Sequence, residues 1–294
     1  MSNKPLFRVK FALLFAMILW ASAFVGIRYA GTEYSAGSLA LLRYLVASLC
    51  MIPIYFKLKH RSQHNWREIV NAMLLGIFGF AIYNVALNQG EQTVSAGIAS
   101  FIIGLSPVIV IIIASRMHHE HLNQAAKWGV AISLLGILLI AAGEVKNFKI
   151  GEGLFLVFIS TISSAIYSVT QKKLLIKFHP IEFTAYAIWG GTLAMLVFTP
   201  TLWRELHHAS LGPTLAIIYM GIFPGAIAYL CYSYAYKYMA ASHAVTYTYA
   251  IPFFSIILAF IFLREIPTAF GLSGGVLALI GAVIASKNRI IQKA

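Results

Sequence analysis

Gly76-Ile77-Phe78-Gly79-Phe80-Ala81-Ile82 is answered 145 positions later by Gly221-Ile222-Phe223-Pro224-Gly225-Ala226-Ile227, and the fold is read outward from this pair. At the same offset, without a gap, Pro107 falls on Pro252, Glu120 on Glu265 and Gly136 on Gly281. From Gly76 to Gly136, 15 of 61 positions are identical, where chance in so apolar a chain gives roughly a tenth. The chain therefore carries a duplicated unit. In both copies an apolar helix opens after Gly, Pro sits within the next apolar run, Glu closes that run, and a Gly-bearing apolar run comes after it.

The 294 residues are 60% hydrophobic and 11% charged, with a mean hydropathy of +0.81. Soluble domains carry about 25% charged residues, so this composition describes an integral membrane protein. Apolar runs of about 20 residues, enough to cross ~30 Å of hydrocarbon as helix, recur throughout. Ten are expected, near 9–29, 36–56, 68–88, 94–116, 122–142, 151–171, 180–200, 212–236, 242–263 and 268–286. The connections leave no room for a soluble module.

The net charge of +13 is a topology signal and not a nucleic-acid signature. With a cytoplasmic amino terminus, 16 of the 22 Lys and Arg fall inside, 5 outside, and Arg43 alone within a span, which puts both termini in the cytoplasm. Lys4 to Lys10, the apolar run after them and Ala21-Ser22-Ala23 have the layout of a signal peptide. Apolar character continues through Ile27, so this segment is expected to be the first span. Cys50 and Cys231 both fall in apolar runs and imply no disulfide framework.

Five spans per copy is an odd number, so the second copy enters the bilayer in the opposite sense. The expected fold is an all-α integral membrane protein of ten transmembrane helices, two inverted five-helix repeats at 1–145 and 146–294. Such repeats enclose a midplane site able to open to either side.

Trp20-Ala21-Ser22-Ala23-Phe24 in span 1, Arg43 in span 2, and the segments Pro107 to Glu120 and Pro252 to Glu265 with the glycine-bearing helices after them complete a pattern. Together with the tandem five-span units it resembles the drug/metabolite transporter superfamily, EamA type, over nearly the whole chain. The resemblance implies a bacterial inner-membrane carrier, without cofactor, that exports amino acids or other small metabolites or toxic compounds. One departure is Arg116-Met117-His118-His119-Glu120-His121, more polar than Leu263-Arg264-Glu265 in the second copy.

Charged groups at membrane depth cost a few kcal/mol, which makes them functional candidates. Arg43, about 10 Å into span 2, can hold a carboxylate or phosphate through its planar fork, or can snorkel or tie helix ends together. Asn84, Asn88 and Glu91, beside Tyr83, form one stripe on span 3; the stripe lines a cavity, or Glu91 is solvated at the outer mouth. Tyr229 and Tyr232 in span 8, with Tyr167 and Tyr247, can build an aromatic wall or simply pack. Ser22 and Ser164 are small polar positions for substrate or for close helix approach. Pro107 and Pro252 are expected mid-span, where each removes a backbone hydrogen bond and leaves a bend, and are candidate hinges; Glu91 and His243 are candidate proton-coupling groups. The His118–His121 cluster lacks the spacing of a zinc-protease helix, and no metal is expected.

Absences narrow the function further. The chain has no Asp and no Gly-x-x-x-x-Gly-Lys-Ser/Thr loop, which excludes aspartyl-phosphate pumps and an ATPase within it. All nine acids are Glu, in loops or near helix ends, so a zwitterionic, neutral or anionic substrate is expected in preference to a lipophilic cation. The expectation is a secondary transporter and not an enzyme, surrounded by lipid, acting as monomer or homodimer. The competing readings are a membrane-embedded enzyme such as a lipid-group transferase, or a multidrug exporter of the same fold.

Overall fold

The computed structural model describes residues 4–58, 64–117, 123–144, 148–238 and 247–287. Every regular element among them is helical, as a bilayer demands of a chain whose backbone groups must bond internally. The first helices are α1 (Lys4–Ala30), α2 (Ala36–Phe56), α3 (Trp66–Gly76), α4 (Tyr83–Gly90), α5 (Ala96–Ile103), α6 (Ser106–Met117) and α7 (Gln124–Glu144). After them come α8 (Phe148–Leu174), α9 (Pro180–Met195), α10 (Thr199–His208), α11 (Leu211–Ile222), α12 (Ala228–Tyr238), α13 (Ile251–Leu263) and α14 (Ala269–Lys287). Among the described residues, eight helical spans are long and apolar enough to cross a membrane, and Tyr247–Leu263 and Ala269–Ala285 are shorter apolar helices.

Short turns at 31–35 and 91–95 precede Ser35-Ala36-Gly37 and Ser95-Ala96-Gly97, which open α2 and α5. Ser95 caps its helix by accepting the Ile98 N–H, while Ser35 sits extended and bonds elsewhere. These turns and the end of α13 lie at the end of the bundle that the charge distribution assigns to the outside.

The duplicated glycine run takes the same unusual backbone twice. Ile77–Ile82 joins α3 to α4 as a π-helical turn, and Phe223–Ile227 joins α11 to α12 in the same way. A π turn inserts one residue per helical turn and rotates the helix beyond it, a device frequent at functional sites. The rotated positions Asn84 and Tyr229 are themselves 145 apart.

Glycines also set how closely the halves approach. Gly76 of α3 lies against the Ala187 carbonyl of α9, and Gly221 of α11 lies against the Arg43 carbonyl of α2. At the 145-residue offset these are the same kind of contact with the copies exchanged. Helices α7 and α14 run antiparallel: Gly129 meets Gly281 and Gly136 meets Gly274, with the Ser133 hydroxyl donating to the Ala278 carbonyl between them at 3.0 Å. The small residues of spans 5 and 10 therefore pack on each other within one chain. Gly275 instead seats the Phe101 ring.

Three expectations change on inspection. Span 4 is not continuous: α5 stops at Ile103, Gly104 and Leu105 form a turn, and α6 begins at Ser106. Pro107 and Pro252 accordingly sit in first helical turns, where a missing N–H costs nothing, instead of removing a bond at mid-span. Gly104 packs on the Pro252 ring, so the break in span 4 faces the start of α13. Span 7, expected to end near 200, continues through a 3₁₀ turn into α10, whose Trp203 is exposed beside buried Leu202.

Candidate functional site

The polar stripe of span 3 faces the protein interior. Arg43 is 5% exposed, and its Nη1 donates to Asn84 Oδ1 at 3.2 Å. The Asn84 amide donates to the Tyr44 hydroxyl at 3.1 Å and to the Phe80 carbonyl at 2.8 Å. That carbonyl lies in the π turn, so the irregular backbone anchors the asparagine that holds the arginine. Arg43 Nε is buried without a hydrogen-bond partner, and no carboxylate among the described residues stands within ion-pair distance. The guanidinium also lies over the Tyr44 ring, 5.4 Å from its centroid. Its bonding to a neutral amide deep in the bundle argues against the snorkelling alternative.

From Tyr44 an aromatic chain crosses to the second copy. Tyr44 meets Phe80 edge-on at 5.3 Å, and Phe80 meets both Tyr167 and Tyr229 at 5.5 Å. Tyr229 packs on Trp20 at 5.2 Å, and Trp20 on Tyr232 at 5.1 Å, while Trp20 Nε1 donates to the Pro224 carbonyl in the second π turn. Tyr83 lies within electrostatic reach of Arg43, Tyr44 and Glu91. Arg43, Tyr83, Asn84, Tyr167, Tyr229 and Tyr232 thus belong to one wall built from both copies, in which Arg43, Asn84 and Tyr167 are buried and Tyr83, Tyr229 and Tyr232 half-buried. Tyr247 extends it, packing with Tyr232 around Val9, Leu13 and Ala235.

Other candidates lie elsewhere. The Ser22 hydroxyl pairs with that of Tyr219 at 2.8 Å, holding α1 to α11. Ser164 pairs with Ser106 at 2.9 Å, beside the break in span 4. Asn88, one turn above Asn84, donates to the Ala36 carbonyl at 3.0 Å and leaves its own carbonyl oxygen buried without a partner. Glu91 is 1% exposed, so it is not solvated as one reading of the sequence had it. His243 and the His118–His121 cluster lie outside the described residues. Trp20, Tyr44 and Phe80 are members that residue-by-residue reading missed; the repeated Gly-Ile-Phe run was a signal for Phe80, which lies in the first π turn, while Trp20 in α1 and Tyr44 in α2 carried no such local mark.

Each end of the wall is tied by ions. At the end of the bundle that carries the 31–35 and 91–95 turns, Arg28 Nε and Nη2 contact Glu265 Oε1 at 2.8 Å, and Arg28 Nη1 donates to the carbonyls of Glu91 and Gln92. The other Glu265 oxygen accepts the Ala96 N–H at 3.1 Å. Arg264 caps α13 in the left-handed region at φ 58°, which delivers Glu265 to this tie. At the opposite end Lys177 pairs with Glu68, and His64, stacked on Phe178, lies 3.6 Å from Glu182. A separate surface cleft is flanked by Glu33 and Glu205. Glu33 is held below the usual carboxylate range by the backbone N–H of Ser210 and then by its hydroxyl.

Gly271-Leu272-Ser273-Gly274-Gly275 spells the Gly-x-Ser-x-Gly string of hydrolases. Here Ser273 lies inside α14, exposed on the bundle surface, with its hydroxyl spent on the Phe270 carbonyl, and not on the strained strand-to-helix turn that a nucleophile requires.

Residues 8–142 and again 151–287 match the EamA-like transporter family. The chain belongs to that family. Among its EamA relatives, an uncharacterized transporter, YdfC, of Bacillus subtilis is 37% identical over 90% of this chain and 86% of its own length. An uncharacterized transporter of Archaeoglobus fulgidus is 31% identical over 94% and 98%. A probable terminal-alkyne amino-acid exporter of Streptantibioticus cattleyicolor is 28% identical over 95% and 93%. A solved crystal structure at 16% identity superposes with a TM-score of 0.64 over 94% of this chain and 96% of that one, which shows a shared fold. The EamA chain is a membrane-embedded multi-pass transporter.

Substituting Asn84 with Leu is expected to weaken ligand binding about tenfold or more, because it strips a buried cation of the one side chain that it bonds among the described residues. Titration of purified variant and parent tests this, and equal affinities would remove the span 3 stripe from the site.

Proposed function

We propose that this EamA transporter moves a small zwitterionic, anionic or neutral metabolite, an amino acid or a close analogue, outward across the inner membrane by alternating access. The observation that carries the reading is Arg43, a permanent cation sunk in the bundle with an unfilled Nε and a neutral partner. A buried charge of this kind asks for an anion, and a substrate carboxylate docked on its fork supplies one. The tyrosines and Trp20 then receive the remainder of the molecule. Asn88 offers a further buried carbonyl oxygen toward a donor.

Alternating access rests on two inverted five-helix repeats, 1–145 and 146–294, with both termini cytoplasmic. The antiparallel pairing of α7 with α14 through equivalent glycines supports that relation, as do the matched π turns. Pro107 and Pro252 open the half-helices that would move, and the ion ties at the two ends would close in alternation. The amino-acid exporter among the relatives supports the substrate class.

A thermal-shift screen of purified protein against amino acids, organic acids, sugars, nucleosides and quaternary ammonium compounds tests the reading. Carboxylate-bearing ligands are expected to stabilise it, by about 2.7 kcal/mol at a concentration one hundred times Kd. Stabilisation by quaternary ammonium compounds alone would overturn it.

A further inference from the structure

Glu91 is the buried group that substrate binding leaves unused. It comes directly after the Trp66–Gly90 span, is 1% exposed, and both its carboxylate oxygens are buried without a hydrogen-bond partner. An ionised carboxylate in that condition is strongly disfavoured, while a protonated one is tolerated. Around it stand Arg28 of α1, Arg43 of α2 and Tyr83 of α4, with Glu265 beyond α13; Glu152, the acid at this end of α8, is exposed. Burial holds the Glu91 carboxyl well above the usual carboxylate range, Arg28 and Arg43 pull it down, and Glu265 pushes it up.

Its position gives this proton a consequence. Arg28, the cation of the outer tie, already donates to the main-chain carbonyl of Glu91 while its other nitrogens hold Glu265. One guanidinium therefore stands between two carboxyls, bonded to the side chain of one and only to the backbone of the other. The same tie joins α1, the end of α4, the start of α5 and the end of α13.

We propose that Glu91 is a proton-binding site that governs outer closure: protonated, it leaves Arg28 to Glu265; deprotonated, it competes for Arg28 and admits water between the four helices. As a coupling device it rests on the transport reading above; as a proton site it stands alone. The sign is set by the chemistry. Closure holds at low pH, where Glu91 is neutral, and is lost as pH rises through its raised pKa, because the ionised form is stable only when solvated or paired.

The test needs no substrate. Ala36, whose carbonyl accepts the bond from Asn88, is 4% exposed below the tie, whereas Thr32 is exposed on the turn outside it. Ala36→Cys and Thr32→Cys are each placed in a Cys50→Ser, Cys231→Ser background, reconstituted in nanodiscs and labelled with a maleimide between about pH 5 and pH 8.5. The Thr32→Cys rate corrects for thiol ionisation. The normalised Ala36→Cys rate is expected to rise about tenfold or more with pH in the parent, to stay low and flat in Glu91→Gln, and to be high throughout in Glu265→Gln. Gln copies the neutral acid in size, so the variant retains the closed packing. A pH-independent parent, or an unchanged profile in Glu91→Gln, would refute the proton site. Absence of carboxylate binding in the thermal-shift screen would sink the transport reading alone and leave this result standing.

Discussion

Arg43→Ala is expected to lower transport of a carboxylate substrate by about two orders of magnitude or more, the loss typical when one member of a buried charged pair is removed. The folded protein should survive the change. Arg43 makes one side-chain hydrogen bond, to Asn84, and its charge is uncompensated among the described residues, so removal relieves a buried cation and leaves one amide oxygen unpartnered. Counterflow in proteoliposomes, set beside the melting curve of the variant, separates the two effects. Arg43→Lys is expected to fall between, because an ammonium supplies charge without the fork. Near-normal counterflow in Arg43→Ala would reduce the residue to a structural tie of α2 to α4.

Gly136→Leu is expected to prevent correct folding, with the loss seen as a collapse of the monodisperse peak on detergent gel filtration. A Cβ at Gly136 would stand 2.5 Å from the Ala278 amide nitrogen and 2.6 Å from the Gly274 carbonyl, and the obstruction is backbone on both counts. Ordinary overpacking costs about 1–3 kcal/mol because side chains can move aside. Neither helix of the α7–α14 pair can do so without separating, and the equivalent contact of Gly129 with Gly281 would separate with it. Leu135→Ala, one residue away and 57% exposed on the bundle surface, is expected to fold normally. A well-folded Gly136→Leu would mean that this seam contributes little to the bundle.

Much of the architecture is legible in the sequence. A bilayer requires that a spanning backbone satisfy its own hydrogen bonds, and apolar runs of about 20 residues do so as helices, so run length translates directly into spans, and the 145-residue echo exposes the duplication without reference to packing. Arg43, Asn84 and Tyr229 stood out because polar groups are rare at such depth. The discontinuity at Gly104-Leu105 was less visible, since hydropathy measures how apolar a run is and not whether its backbone stays α-helical. The length of span 7 was obscured for the converse reason: α10 is amphipathic and its charges resembled a loop.

Taken alone, the sequence determined that this is a duplicated, many-helix EamA transporter with one cation at depth and no acid to match it, because these properties depend on composition and spacing. Only the tertiary structure decided which groups meet. It brought Trp20, Tyr44 and Phe80 into the wall, sent Ser22 and Ser164 to helix seams, and buried Glu91 beneath the Arg28–Glu265 tie. The physical reason is the helix itself. A π turn rotates every side chain beyond it, and a glycine contact sets which helices lie within bonding distance, so residues far apart along the chain become neighbours through geometry that no local pattern encodes.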